Sequence, residues 1–358
     1  MILEALENFL CFGTAFALVG FAIARMGRAA AHWQRDAIRP RTLVRLYTLA
    51  LVVPPLTSAW LVAAALLPRW WFGEYEFYSA HPGPVHSFHL MGALTDHLEP
   101  ALACAVVLLV AGMALLLAWS TARSHRRLAW AVGRLQLTGV QPPAAHLAMV
   151  EEAARRHGLD VGLVQSDYPL SFVWGFRRSK LVLSSGLLAT LTPSELGGML
   201  EHEAAHHARH DNLLKLALAV CAHASLAAPL GRRLLRWRNE QVELLCDEIA
   251  AAQSSAPLEI AEALVKLRRR TLLAGAPSAL AVPASRFVPD DDGSVERRVR
   301  RLLALADAPP PSASASASWH AAPALTLAAV FFVSLAVLGT WAPFAIHAAT
   351  ESVLQAFR

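Results

Sequence analysis

Thr192-Pro193-Ser194-Glu195, followed by Glu201-His202-Glu203-Ala204-Ala205-His206, is the stretch on which the reading of this chain turns. A threonine with proline next to it and glutamate three positions on is a helix start. The hydroxyl and carboxylate cap the first turn reciprocally, and the fixed φ of proline suits the first helical position. The helix predicted there runs through the second segment. Residues four apart on a helix share a face, so His202 and His206 aim two imidazoles at one point, and Glu203, about 100° round, reaches a water held there.

A second helical segment, Gln241 to Ala251, carries Glu243 and Asp247, again four apart. A catalytic zinc takes three protein ligands and leaves one position open, and two histidines with a glutamate are a known peptidase set. Glu243 is therefore the expected third ligand to a single zinc ion, with Glu203 as general base. Asp247 is expected behind a ligand histidine, accepting its outer ring N–H. His207, His210 and Asp211 are further candidates, expected at the surface or behind the ligands, while nothing in the sequence places Arg209 as an oxyanion partner. Cys246 lacks a paired cysteine at zinc-finger spacing and reads as a small buried residue.

With 55% hydrophobic and 16% charged residues over 358 positions, the chain is too apolar for an ordinary globular protein. Uncharged runs long enough to cross about 30 Å of hydrocarbon are Phe9 to Ala24, Leu46 to Leu67, Ala101 to Trp119 and Ala322 to Ala345. Glu4 and Glu7, with no basic residue before the first run, argue against a cleaved signal peptide. Arginines 25, 28, 35, 39, 41 and 45 follow the first run and 123, 126, 127 and 134 follow the third, whereas Pro68 to Glu99 holds Arg69 against four acids. Basic loops stay on the cytoplasmic side. Both termini are therefore expected outside, with Ala122 to Ala321 in the cytoplasm of a bacterial-type cell (inner) membrane. The net charge of +5 reads as topology, and no nucleic-acid partner is expected.

The expected fold is a mainly α multi-pass membrane protein with a cytoplasmic α+β zincin-like domain. Residues 1–121 form the three-span membrane domain, 122–306 the metallopeptidase domain, 307–320 a Pro/Ser/Ala linker, and 321–358 the fourth span with a short outer tail. Ahead of the motif helix, Pro142 to His157 reads as a helix capped by Gly158, and Val161 to Gln165, Ser171 to Trp174 and Leu181 to Ser184 read as strands of a small sheet. Ser171, Phe172, Val173 and Trp174 are candidate substrate-binding residues, if their strand is an edge that pairs with a peptide backbone. The alternative is an ordinary core strand. Val295 to Ala306 is amphipathic, with Arg297, Arg298, Arg300 and Arg301 opposite its apolar stripe, so it docks on the domain or lies on anionic lipid.

Between the two halves of the motif lies the apolar run Leu213 to Leu230. One crossing would strand Glu243 on the far side from His202. A shared zinc requires the chain to return, and Pro229-Leu230-Gly231 followed by four arginines offers the reversal.

The residues from Phe172 through Gly175, Leu181 to Leu188, Glu201 to His206 with Arg209 and Asp211, and Glu243-Leu244-Leu245-Cys246-Asp247-Glu248 together resemble the BlaR/MecR-type membrane metallopeptidases. More loosely they resemble the HtpX-like and CAAX prenyl protease group, with the same gluzincin logic. The resemblance implies His202, His206 and Glu243 as zinc ligands and Glu203 as catalytic. It also implies regulated proteolysis of a cytoplasmic protein such as a transcriptional repressor. Sensor members continue into an outer β-lactam-binding domain, whereas this sequence ends at Arg358, so β-lactam sensing is not carried over.

Three functions compete: a signalling peptidase, a quality-control peptidase for membrane proteins, and a non-catalytic receptor or scaffold with a structural metal. An intact Glu203 argues against the last, because a closed structural site has no use for a general base. The loop Pro68 to Glu99, with His81, His86, His89 and His97 among aromatics, is a sensor or an interfacial aromatic belt.

Overall fold

Gly13, Gly20 and Gly27 recur every seven residues along the first helix, α1 (Ile2–Trp33), and face the second, α2 (Pro40–Trp71). A Cβ on Gly13 would stand 3.3 Å from Ser58 Oγ, one on Gly20 would stand 3.1 Å from the Ala50 carbonyl oxygen, and one on Gly27 would run into the Leu46 side chain. The descending partners make the pair antiparallel. Small residues let the backbones close up, which in lipid stands in for the hydrophobic attraction between helices. Gly13–Trp33 and Pro40–Ala59 are each long and apolar enough to cross a membrane. They overlap the first two expected spans.

The computed structural model describes residues 2–33, 38–71, 143–166, 168–174, 180–274, 285–286 and 292–307, with Gly112, Trp119, Arg123 and Arg126. Residues 68–71, expected at the start of the histidine-bearing loop, close α2 instead; apart from these, Asp307 and such isolated residues, the third and fourth expected spans, the rest of that loop and the linker lie outside the described residues. Two compact units emerge, one with α1, α2 and Leu218–Trp237, the other with Leu116–Ala217 and Arg238–Ser312. Residues 218–237, counted in the peptidase domain on sequence grounds, thus group with the two long apolar helices.

In the second unit α3 (Ala144–His157) ends where Gly158 turns left-handed at φ 64°, a conformation free of strain only for glycine. The chain then forms β1 (Asp160–Val164), β2 (Ser171–Trp174) and β3 (Lys180–Ser184), and continues through α4 (Ser185–Thr190), α5 (Pro193–Ala208), α6 (Asp211–His223), α7 (Ala228–Ser254), α8 (Pro257–Ala274), β4 (Ser285–Arg286) and α9 (Asp292–Ala306). The sheet order is β1-β3-β2-β4, with β1 parallel to β3 and β2 antiparallel to both its neighbours. Leu181 and Leu183 of the sheet, Leu196 and Met199 of α5, Ile260 and Leu264 of α8 and Leu302 of α9 share one core. The motif helix is gripped from several sides.

Its start is fixed as the sequence implies. Thr192 Oγ1 accepts the Glu195 N–H at 3.3 Å, and Glu195 Oε2 accepts the Thr192 N–H at 2.8 Å. The other oxygen of Glu195 pairs with Lys266 of α8. Burial alone would raise the Glu195 carboxyl, but the bonds from Lys266 and Thr192 outweigh it and hold the group below its ordinary 4.5. At Gly198, a Cβ would meet Ile260 Cγ1 at 2.5 Å, so α5 and α8 touch backbone to side chain.

In the first unit the chain reverses at residues 224–227, just ahead of the expected turn. Pro229 falls in the first turn of α7, where its missing N–H costs nothing. A Cβ on Gly231 would lie 2.5 Å from the Ala222 carbonyl oxygen, so only glycine lets the hairpin close. Leu226 N–H donates to Thr14 Oγ1 at 3.1 Å, and Trp237 stacks on Phe21 with centroids 5.4 Å apart under the Arg28 guanidinium.

Two outcomes follow for stability. Glu195→Gln is expected to cost about 1 kcal/mol at neutral pH. Because the folded-state value is depressed, the native advantage is complete above pH 4.5 and disappears as the pH falls through that lowered value. Thermal unfolding followed by circular dichroism reads both, and a pH-independent loss would contradict the assignment. Gly231→Val, which drives a branched side chain into a backbone carbonyl, is expected to cost about 1–3 kcal/mol, with Gly231→Ala at the low end.

Candidate metal centre

Three stretches of the second unit converge here: α5 brings His202, Glu203 and His206, the C-terminal part of α7 brings Glu243, Cys246 and Asp247, and Asp211 opens α6. Two residues between α5 and α6 make the turn. His210 accepts a left-handed φ of 50°, and its neighbour Asp211 points back beneath the motif.

His202, His206 and Glu243 each offer a donor atom, and those atoms all lie within 4.8 Å of one another. Glu243 Oε2 is 3.5 Å from His202 Nε2, and Glu243 Oε1 is 3.6 Å from His206 Nε2. These separations are too long for good hydrogen bonds. They match instead the spacing around an ion, since bonds of about 2.0–2.1 Å at tetrahedral angles set neighbouring donors about 3.3–3.4 Å apart. His206 Nε2 and Glu243 Oε2, both buried, have no hydrogen-bond partner among the described residues. A divalent cation fits this donor set.

Each histidine is oriented from behind. His202 Nδ1 lies 2.8 Å from Asp247 Oδ1 and His206 Nδ1 lies 2.9 Å from Asp211 Oδ2, so both rings donate outward and turn the Nε2 lone pair inward. Buried guanidiniums lie behind both aspartates, one hydrogen-bonded to Asp247 and the other an ion-pair neighbour of Asp211. Arg298 of α9 grips Asp247 through Nε at 2.6 Å and Nη2 at 2.7 Å, and Arg238 stands 3.8 Å from Asp211. The site thus gathers the carboxyl groups of Glu203, Asp211, Glu243 and Asp247, with Arg298 and Arg238 buried beside the last three and Arg209 3.3 Å from Asp211.

The electrostatics agree. Burial would lower the His206 imidazole, yet the Cys246 sulfur, Glu243 and Asp211 raise it well above the ordinary value. Burial would raise Glu243, but His206, His202 and Arg298 hold it well below the usual carboxylate range. Positive charge is wanted between them. Glu203 differs, because there burial prevails and pushes the carboxyl up against the opposing pull of His202, His206 and Ser171. Its Oε1 accepts from Ser171 Oγ at 2.7 Å, while its buried Oε2 has no protein partner among the described residues.

A second trio, His206, Asp211 and Cys246, also lies close together. It makes a poorer cation site. The 2.9 Å separation of His206 Nδ1 from Asp211 is a hydrogen bond, and the Cys246 sulfur lies 3.5 Å from that same ring nitrogen, the one turned away from the cage.

Several expectations need correcting. β2 is no free edge: Phe172 pairs with Val182 on one side and Arg286 on the other, and Val173 pairs with Leu181 and Ser285. A peptide backbone finds no unpaired ladder at Phe172 and Val173, and Trp174 pairs with Lys180. Ser171 instead bonds to Glu203. Arg298 does not lie on a solvated or lipid-facing side, since it is 1% exposed. Its spacing of three and four from buried Val295 and Leu302 could have revealed this. Asp211, in contrast, takes the place behind a ligand histidine, one of its two expected positions, and Arg209 Nε lies 3.3 Å from it. His207 and His210 join neither trio.

Residues 138–271 match the model of peptidase family M48. A protease HtpX homolog of Gemmatimonas aurantiaca is 26% identical over 211 residues, an alignment that spans 48% of this chain and 74% of the relative. The family match covers α5 and all of α7. Together with two apolar helices of membrane-crossing length, the two similarities support a membrane metallopeptidase, a hydrolase of peptide bonds.

Proposed function

We propose that this chain is a zinc metalloendopeptidase of the cell membrane that cleaves a cytoplasmic or membrane-associated protein in signal-responsive regulation, as in inactivation of a repressor. The observation that carries the catalytic part is the juxtaposition of the His202, His206 and Glu243 donors with the unpartnered Oε2 of Glu203. One zinc ion bound by those three residues would polarise the scissile carbonyl and lower the pKa of water toward about 7. His202 and His206 are held in the binding tautomer by Asp247 and Asp211. Glu203 is held by Ser171 through Oε1, which leaves Oε2 to take a proton from the attacking water and pass it to the leaving amine. Burial, by raising its carboxyl, suits Glu203 to that exchange.

The regulatory part rests on the Glu-x-x-Cys-Asp-Glu element at 243–248 and its resemblance to the BlaR/MecR type. The arrangement of arginines supports four spans, both termini outside and the peptidase in the cytoplasm. A second reading, a quality-control peptidase for membrane proteins, is favoured by the similarity to a protease HtpX homolog.

Glu203→Gln is expected to reduce peptide cleavage by about 10²–10⁴-fold while zinc stays bound. Comparative proteomics of cells carrying the native or Glu203→Gln chain then names the substrate. A single Glu203-dependent cleavage of a regulator supports the first reading, and fragments from many damaged membrane proteins support the second. If no fragment depends on Glu203, the peptidase reading is wrong.

A further inference from the structure

Arg298 is among the largest side chains in the protein that are fully buried, and it lies on α9, outside the segment 138–271 that matches the peptidase family. Burying a guanidinium is costly unless its hydrogen bonds are well formed, and an apolar residue at this position would pack against the core with less desolvation. The location of its nitrogens accounts for the choice. Nε and Nη2 form a two-pronged grip on Asp247 at 2.6 and 2.7 Å, so Asp247 Oδ1 is shared between Arg298 and the 2.8 Å contact to His202 Nδ1. Nη1 stands 3.5 Å from Glu243 Oε2, the same oxygen that faces His202 Nε2 at 3.5 Å. One planar group therefore addresses two carboxylates four residues apart on α7, one behind a histidine and one in the cage.

The docking of α9 is specific. Arg301 Nε and Nη2 reach Glu248 Oε1 at 2.9 and 2.6 Å, Arg297 lies 3.9 Å from Glu240, and Leu302 enters the core shared with α5 and α8. Three arginines of α9, at 297, 298 and 301, thus meet acids at 240, 243, 247 and 248 of α7.

We infer that Arg298 is a positioning residue of the metal centre, and that the docking of α9 completes the ligand geometry by locking Asp247 against His202 and steering Glu243 toward the shared ion. This rests on the metal-ligand reading of His202, His206 and Glu243. It assigns a part of the site to a helix outside the family match. Removal of Arg298 takes the two-pronged grip from Asp247, leaving it the contact to His202, and takes the neighbouring cation from Glu243, so the cost falls first on metal affinity.

The test uses the full chain in detergent micelles, with zinc affinity measured by competition against a chromophoric chelator and unfolding followed after metal removal. Arg298→Met is expected to weaken zinc binding by about 10–100-fold and to lower kcat with little change in KM. Arg298→Lys keeps the charge without the fork and is expected to recover only part of the affinity. The double variant Asp247→Asn with Arg298→Met is expected to lose less zinc affinity than the product of the two single losses, because part of the action of Arg298 passes through Asp247 and the rest falls on Glu243 directly. Should Arg298→Met not fold, Arg298→Lys and the charge-neutral double variant carry the test. Native zinc affinity in Arg298→Met or in Arg298→Lys overturns the inference, as does a double variant whose loss is the product of the two single losses. If the native chain itself binds no zinc, the metal reading of the cage fails. If the native chain binds zinc and Arg298→Met binds it equally, only the positioning role fails.

Discussion

Two imidazoles can share one ion only if each turns an unprotonated ring nitrogen inward. The centre secures this with buried aspartates, Asp247 behind His202 and Asp211 behind His206. A buried carboxylate is expensive unless opposed by charge. Arg298 and Arg238 provide that opposition, and they explain why the protein buries two of its longest cationic side chains. Each layer makes sense only through the one inside it: guanidinium orients carboxylate, carboxylate fixes tautomer, and tautomer presents a lone pair to the cage.

The fold can be understood as the set of connections this arrangement needs. The capping box at Thr192 and Glu195 fixes where α5 begins and hence which faces His202 and His206 present. The left-handed turn at His210 brings Asp211 back within reach of His206. Glu243 and Asp247 come from a helix that begins after a hairpin, and Gly231 lets that hairpin close against Ala222. Helix α9 then supplies Arg298. Four separate segments of sequence thus meet around a space that one ion can fill.

Much of this was legible in the sequence because helix periodicity is local. The four-residue spacings of His202 with His206 and of Glu243 with Asp247 declare shared faces, and Thr192-Pro193-Ser194-Glu195 and Gly158 declare helix ends through their own chemistry. The need for one ion also required the apolar run between the halves to return. Tertiary partners were harder to see. Arg298 looked solvated because arginine is seldom buried, and only the geometry of α7 reveals the acid it meets. Ser171 to Trp174 looked like a possible edge because its second neighbour, β4, is two residues long and distant in sequence. The seven-residue spacing of Gly13, Gly20 and Gly27 was visible, but its meaning depends on which helix lies opposite.

The central claim, one ion held by two histidines and one glutamate, is tested most directly by X-ray absorption at the zinc edge on the zinc-loaded full chain. The expected spectrum has a four-coordinate shell of nitrogen and oxygen only, with the multiple-scattering signature of two imidazoles. A sulfur neighbour at about 2.3 Å would place the ion instead among His206, Asp211 and Cys246 and contradict the account.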